Sequence, residues 1–401
     1  MFEIIQGGGV TTALGFKAGA VSAGLKMETG VLDMGLLVSD MRAAVAATFT
    51  TNSIESPSVT VSRRRLKKGY TRGVIANSGC ANCAVGSQGL LDAEEMSSLA
   101  ADSIGVESDE LFVASTGMIG VELPMALIRQ NMGNIVLTES GGTDFSKSIM
   151  TTDSHNKEIA VSFTVDGKSA RLGGAAKGVG MIHPNMATML CFMTTDANVE
   201  PQFLQDSLSE AVGGSFNMID VDGDQSTNDT VIILANGASG SSIIEKDTDA
   251  AMAFTEALRY VTTELAKELV RDGEGAQRLM EVMVEGALTS EEAKKAARSV
   301  VSSLLVKSML HGQDPNWGRI MMAIGKAGVQ LDENKLDIYV SDIHIVHQGV
   351  AIPYNKDAVV AAMGGEEVTF RVALNLGQAS AVAWGCDLTE EYVIFNSAYS
   401  T

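Results

Sequence analysis

Apolar residues recur along this chain with two different periods. Short alternating or continuous apolar runs at residues 73–76, 159–165, 189–194 and Thr230–Ala235 predict β-strands. Apolar positions at helical spacing predict helices over 92–104, 200–212 and 250–270. The first of these reads as capped by Asp92 and acidic in its first turn. Another helix is predicted to start near Pro124, because proline suits a first helical position. The pattern shifts near residues 275–286. Beyond it come predicted helices at 290–305 and 319–325 and strands at 336–340 and 368–374. A domain boundary placed there gives 1–280 and 281–401. The regular strand–crossover rhythm and the G-x-G-x-x-G fingerprint of a dinucleotide fold are absent, so a layered α/β or α+β architecture is expected.

Composition changes the picture in a few places. With 401 residues, 45% of them hydrophobic, the chain can bury large cores. A net charge of −20 disfavours non-specific binding to nucleic acid or to an anionic membrane. No apolar run is long enough to span a bilayer, and the first residues do not read as a secretory signal; a cytoplasmic protein is expected. Cys80 and Cys83 form a C-x-x-C without a second ligand pair, and with Cys191 and Cys386 they read as reduced thiols.

The candidate chemistry centres on residues 177–197, KGVGMIHPNMATMLCFMTTDA. Thr188 follows Ala187 after a turn containing Gly178, Gly180 and Pro184. A threonine hydroxyl is a weak nucleophile unless a base stands beside it. Cutting the chain just before the threonine frees an α-amine that serves as that base. Such an amine has an ordinary pKa of about 8, close enough to neutrality to accept a proton. A strained turn before the hydroxyl also suits an internal acyl shift, in which the hydroxyl attacks the preceding carbonyl and the peptide becomes an ester. In ASTGMIG, Thr116 and Gly117 can together offer an O–H and a backbone N–H to an oxyanion.

Other polar clusters read more plainly. The run VDGDQSTNDT lacks a glycine and a terminal Glu at the positions a calcium loop requires and reads as a hydrogen-bonded turn near a site. His183 reads as a solvated turn residue. His344 and His347 stand three apart, which on a regular strand puts them on opposite faces, so they read as unsuited to a metal. No metal site is expected.

These blocks, with SFNMIDVDGDQSTNDT, DPNWGRIMMAIGKAG and the terminal WGCDLTEEYVIFNSAYST, resemble the glutamate N-acetyltransferase/ornithine acetyltransferase family of arginine biosynthesis. The opening GGGVTTALGFKAGAVSAGLK and ATFTTNSIESPSV add to the likeness, which runs the length of the chain in the family's order. The resemblance implies an autoprocessing enzyme of the N-terminal-nucleophile type. Its fold would be an αββα sandwich with a smaller C-terminal α+β domain. The cut would fall between Ala187 and Thr188, and Thr188 would accept the acetyl group. Thr116 and Gly117 match the family's oxyanion pair. Lys177, Glu274, Asn396 and Thr401 match substrate contacts. A further binding threonine falls at Thr151 or Thr152, with Thr151 favoured.

The reaction implied is acetyl transfer from N-acetylornithine to glutamate. It needs no cofactor, and acetyl-CoA is a second donor in bifunctional members. The two cleavage chains would assemble into a heterotetramer or larger. Two departures, NSGCANCA for N-S-G-N-A-N-A and TTDSHNK for T-T-D-T-x-P-K, lie on the substrate side. The competing readings are an amidase or aminopeptidase of the same mechanistic type and a non-catalytic ligand-binding relative.

Overall fold

The computed structural model describes residues 2–183 and 189–398. Its first part runs β1 (Phe2–Ile4), β2 (Phe16–Val21), β3 (Met34–Phe49), α1 (Pro57–Leu66), β4 (Tyr70–Asn77), α2 (Gln88–Ile104), β5 (Leu111–Ser115), α3 (Met125–Asn131) and α4 (Gly142–Ser148). It continues through β6 (Lys157–Val165), β7 (Lys168–Lys177), β8 (Leu190–Thr195), α5 (Pro201–Gly214), β9 (Ile219–Asp220), β10 (Thr230–Ala235) and α6 (Asp249–Arg271). The remainder comprises β11 (Leu279–Ala287), α7 (Ser290–Val301), α8 (Leu304–His311), α9 (Trp317–Gly325), β12 (Asp337–Val340), β13 (Ile343–His347), β14 (Val350–Ala351), α10 (Lys356–Met363), β15 (Glu367–Ala373), β16 (Ala379–Cys386) and α11 (Glu390–Ala398).

The first sheet has the order β1-β6-β7-β8-β10-β3-β4-β5, with β2 also on β3. One long strand makes two layers out of it. The first half of β3 pairs with β2 and β4, and its second half pairs with β10. The register with β4 shifts between Val38 and Ala43, an irregularity of the kind that bends a strand. The side-chain period of two then sorts residues into layers. Leu37, Val74, Ala76, Phe112 and Ala114 share one core with Leu190, Phe192, Ile232 and Leu234. Their odd-even neighbours go elsewhere. Leu36, Val38, Ile75, Leu111 and Val113 pack with Met96 of α2 and Ile128 of α3. Cys191, Met193, Val231 and Ile233 pack with Leu204 of α5 and Leu258 of α6. The order of layers is helix, sheet, sheet, helix, as the resemblance implied. Strands from both sides of residue 188 lie in this sheet.

The second sheet has the order β14-β13-β12-β15-β11-β16-β9. Helix α7 covers β11 and β16, while α6 packs on β6 and β7 of the first sheet and on β16 and β9 of the second. The line drawn at residue 280 runs through β11, and β9 joins this sheet from far earlier in the chain. Among the described residues no helix is long and apolar enough to cross a membrane.

Three local expectations are corrected. Helix α2 starts at Gln88 rather than at Asp92, which is buried inside it and accepts a hydrogen bond from Gln88 Nε2 at 2.7 Å. The helix predicted over 290–305 is two helices, divided at Ser302–Ser303, where the Ser303 hydroxyl accepts from Val306 N–H and caps α8. His344 and His347 do not point apart: their ring centroids are 5.4 Å from each other and both approach Asp337. The register of β12 against β13 slips between Ile338 and Tyr339, so that Ile338 faces Val346 while Tyr339 faces His344. The extra residue, Ile345, is buried beside buried Val346, which resets the alternation between the two histidines.

Candidate active site

Strand register places the first site residues. β7 runs antiparallel to β8, and Lys177 is the partner of Leu190, two residues past Thr188. β10 runs parallel to β8 with Thr230 beside Leu190. Thr116 follows the end of β5. The loops at this end enclose a cleft of about 330 Å³, lined among others by Thr116, Gly117, Thr151, Thr152, Lys177, Gly180, Asn228, Glu274 and Asn396. Six of the residues singled out from the sequence therefore meet here: Thr116, Gly117, Thr151, Lys177, Glu274 and Asn396. Ala187, Thr188 and Thr401 lie outside the described residues.

The loop after β5 is laced to the loop after β4. Thr116 N–H donates to Asn77 O at 3.0 Å, Met118 N–H to Gly79 O at 3.1 Å, and Ala81 N–H to Met118 O at 3.0 Å. Gly117 sits between them with φ +123, and a Cβ there would lie 2.3 Å from the Gly79 carbonyl carbon. Both the dihedral and the space admit only glycine. Buried Lys177 donates from Nζ to Thr116 Oγ1 at 3.1 Å. A hydroxyl that accepts from an ammonium keeps its own proton to donate elsewhere.

Lys177 is the charge at the floor of the cleft. Burial pushes its pKa below that of an ordinary lysine, and Asp153 opposes the shift. Burial pushes the Asp153 carboxyl up, but Lys177, Lys157 and the Gly178 N–H together bring it below the usual carboxylate value. Its Oδ1 accepts from Lys157 Nζ at 2.8 Å and from Gly178 N–H at 2.9 Å. The anion keeps Lys177 compensated in a dry place.

Glu274 also lines the cleft. Its backbone N–H donates to Val179 O at 2.8 Å. Oε1 accepts from the Thr152 hydroxyl at 2.8 Å and Oε2 from Asn396 Nδ2 at 2.8 Å. The hydroxyl reaching this carboxylate thus comes from Thr152, whereas Thr151 donates its N–H to Asp153 Oδ2 at 3.0 Å. Both threonines line the cleft. A Cβ on Gly180 would stand 2.6 Å from the Glu274 carboxylate. Gly180→Ala is therefore expected to displace that carboxylate and raise the Michaelis constant for a cationic substrate with little change in kcat; steady-state kinetics check it.

The run 221–230 proves to be scaffold for the segment around it, as its hydrogen-bonding side chains suggested. Asp222 accepts from the N–H groups of Met181 and Ile182, at 2.5 and 2.9 Å, and from the Tyr392 hydroxyl of α11 at 3.2 Å. Asp229 accepts from Met189 N–H at 3.1 Å. Burial pushes the Asp229 carboxyl well above its usual pKa. Asn228 donates to Ala81 O and Ser115 O, at 2.6 and 2.8 Å, tying this loop to the oxyanion turn. Sequence reasoning preferred Thr151 to Thr152 and did not single out Gly180 or Asn228 as lining groups. Gly180 stood in the turn before Thr188, and Asn228 in the run 221–230 already read as lying near a site. His183 is not merely solvated: its Nδ1 stands 2.9 Å from Asp220 Oδ1. All four cysteines are free and buried.

The cleft thus combines a buried cation with a compensating anion, a hydroxyl beside a tight glycine turn, and a carboxylate held by two donors. Comparison with known proteins agrees along the whole chain. The sequence model of the ArgJ family matches residues 17–401. The arginine biosynthesis bifunctional protein ArgJ of Dehalococcoides mccartyi is 44% identical over 400 residues, spanning 100% of this chain and 99% of the relative. The protein of that name from Bacillus cereus is 43% identical over 400 residues, spanning 99% and 98%. A crystal structure of the arginine biosynthesis bifunctional protein ArgJ from Bacillus halodurans matches with a TM-score of 0.51 at 39% identity, covering 52% of this chain and 98% of that one. With the family model matching residues 17–401 and 44% identity holding over 400 residues, this chain belongs to the ArgJ family.

Proposed function

We propose that this enzyme transfers the acetyl group of N-acetylornithine to glutamate through an acetyl ester on Thr188, with acetyl-CoA as a second donor. The observation that carries the reading is the pairing, across one cleft, of buried Lys177 beside Thr116 with Glu274 held by Thr152 and Asn396. N-acetylornithine presents an α-carboxylate and a side-chain ammonium. Lys177 suits the first and Glu274 the second, each as a charge-assisted contact. Glu274 uses only part of its acceptor capacity on Thr152 and Asn396, so room for an ammonium remains.

The chemistry runs in two matched halves. Self-cleavage between Ala187 and Thr188 frees the Thr188 α-amine. That amine takes the hydroxyl proton as Oγ attacks the acetyl carbonyl. The oxyanion of the tetrahedral intermediate is met by the Thr116 hydroxyl and the Gly117 N–H. Collapse breaks the amide, and the departing α-amine of ornithine takes the proton. The α-amine of glutamate then attacks the ester, and Thr188 regains its hydroxyl as N-acetylglutamate leaves. The two transfer halves consume no water; self-cleavage uses one, which hydrolyses the ester left by the acyl shift and releases chain 1–187 as a carboxylate. Thr401 is proposed as a further substrate contact, and the cleaved protomers are proposed to assemble into oligomers. A light-scattering mass above that of one 42.1 kDa protomer checks the assembly.

The test is to incubate the enzyme with N-acetylornithine, with and without glutamate, while following both products. Ornithine and N-acetylglutamate are expected in equal amounts when glutamate is present. Release of acetate at the same rate without glutamate would favour a hydrolase and overturn the transferase reading.

A further inference from the structure

We propose that Asp337, His344 and His347, on the edge of the second sheet, form a binding site for a divalent cation of the zinc type. The bulge at Ile345 brings both imidazoles to the carboxylate. His347 Nδ1 lies 2.9 Å and His344 Nε2 3.7 Å from Asp337 Oδ1. One candidate ligand atom from each of the three residues lies within 4.8 Å of the other two. A tetrahedral zinc ion with bonds of about 2.0–2.1 Å to nitrogen and oxygen separates neighbouring ligands by about 3.3 Å, a value that the two distances to Asp337 Oδ1 bracket.

The environment favours a ligand there. His344 Nε2 is buried and has no hydrogen-bond partner among the described residues. A buried polar atom without a partner costs free energy that a metal bond would recover. Its ring is held flat against Tyr339, with centroids 4.2 Å apart. The carboxylate is oriented by outer partners: Oδ1 accepts from Gln348 N–H at 2.9 Å and Oδ2 from Asn375 Nδ2 at 3.0 Å. Supporting bonds of this kind aim metal ligands. The nearby cation, Arg371, lies over the far ring of the stack, 3.6 Å from the Tyr339 centroid, and is paired with Glu285 at 2.7 Å. His347 is half exposed, so an ion has a way in.

Two imidazoles and one carboxylate suit zinc, cobalt or nickel rather than magnesium or calcium. Three protein ligands leave a position for water. For the metal to bind, the proton shared by His347 Nδ1 and Asp337 must leave Nδ1, passing to Nε2 or to solvent. None of the three residues lines the cleft, so the ion would fasten β12 to β13 and take no part in acetyl transfer.

The test is calorimetric titration of the full-length protein with Zn²⁺, paired with the visible absorption of Co²⁺. The wild type is expected to bind one equivalent at this site and to melt at a higher temperature with zinc present. His347→Gln and His344→Gln should each weaken that binding by more than about tenfold, since even an outer-shell partner is worth 10–100-fold. Both variants should keep wild-type acetyl transfer and wild-type circular dichroism, which separates loss of a ligand from loss of fold. A wild type that binds no zinc, or variants that bind it as tightly as the wild type, would overturn the proposal.

Discussion

Thr188→Ala protein is expected to remain one uncut chain and to exchange no acetyl group. Alanine offers no oxygen to attack the Ala187 carbonyl, so the acyl shift cannot start. The α-amine that would serve as base then stays in the peptide bond, where it has no basicity. One substitution thus removes nucleophile and base together, which makes this the largest effect anticipated. Wild-type protein should separate on a denaturing gel into chains 1–187 and 188–401, the second beginning at Thr188 by N-terminal sequencing. With N-acetylornithine alone, mass spectrometry should find an acetyl adduct on that second chain. Thr188→Ser keeps a hydroxyl and should still be cut. If Thr188→Ala transferred acetyl to glutamate at the wild-type rate, the covalent route would be wrong and direct transfer between bound substrates would remain.

Thr116→Ala is expected to lower kcat by roughly 10²–10³, about 3–4 kcal/mol, the usual loss for one oxyanion donor. Its Michaelis constant should move little, because the hydroxyl acts on charge that exists only in the intermediate. Lys177→Ala is expected to raise the Michaelis constant for N-acetylornithine, since it removes the partner of the α-carboxylate. The two residues touch, with Nζ to Oγ1 at 3.1 Å, so their effects should not add. The double variant should fall short of the product of the singles. A pH profile gives a second reading of Lys177. Burial lowers its pKa, so the ammonium is lost at a lower pH than the ordinary lysine value of about 10.4. Substrate affinity should weaken as pH rises through that lowered pKa, and Lys177→Ala should abolish this alkaline limb. Full retention of kcat by Thr116→Ala would remove that hydroxyl from the oxyanion hole.

The sequence by itself determined much of this enzyme, because much of it is local. Alternation along 190–193 and 231–234 decides which residues face which layer, and a period of two needs no knowledge of the partner strand. Glu200 before Pro201 marks a helix start, its side-chain carboxylate accepting from the N–H groups of Gln202 and Phe203. The motifs around Thr116, Lys177 and Glu274 singled out, before any distance was known, residues that line one cleft. Tertiary structure decided what depends on register and on the path of loops. Nothing local says that Thr152 rather than Thr151 sends its hydroxyl to Glu274, because the two side chains differ only in where the turn aims them. The fold buries Lys177 and so lowers its pKa; Asp153, from the turn before β6, opposes the shift, and Lys157, at the start of β6, adds to it. The convergence of His344 and His347 rests on one residue inserted into a strand pair. That insertion reverses the face of every side chain beyond it, and it is visible only when both strands are in place.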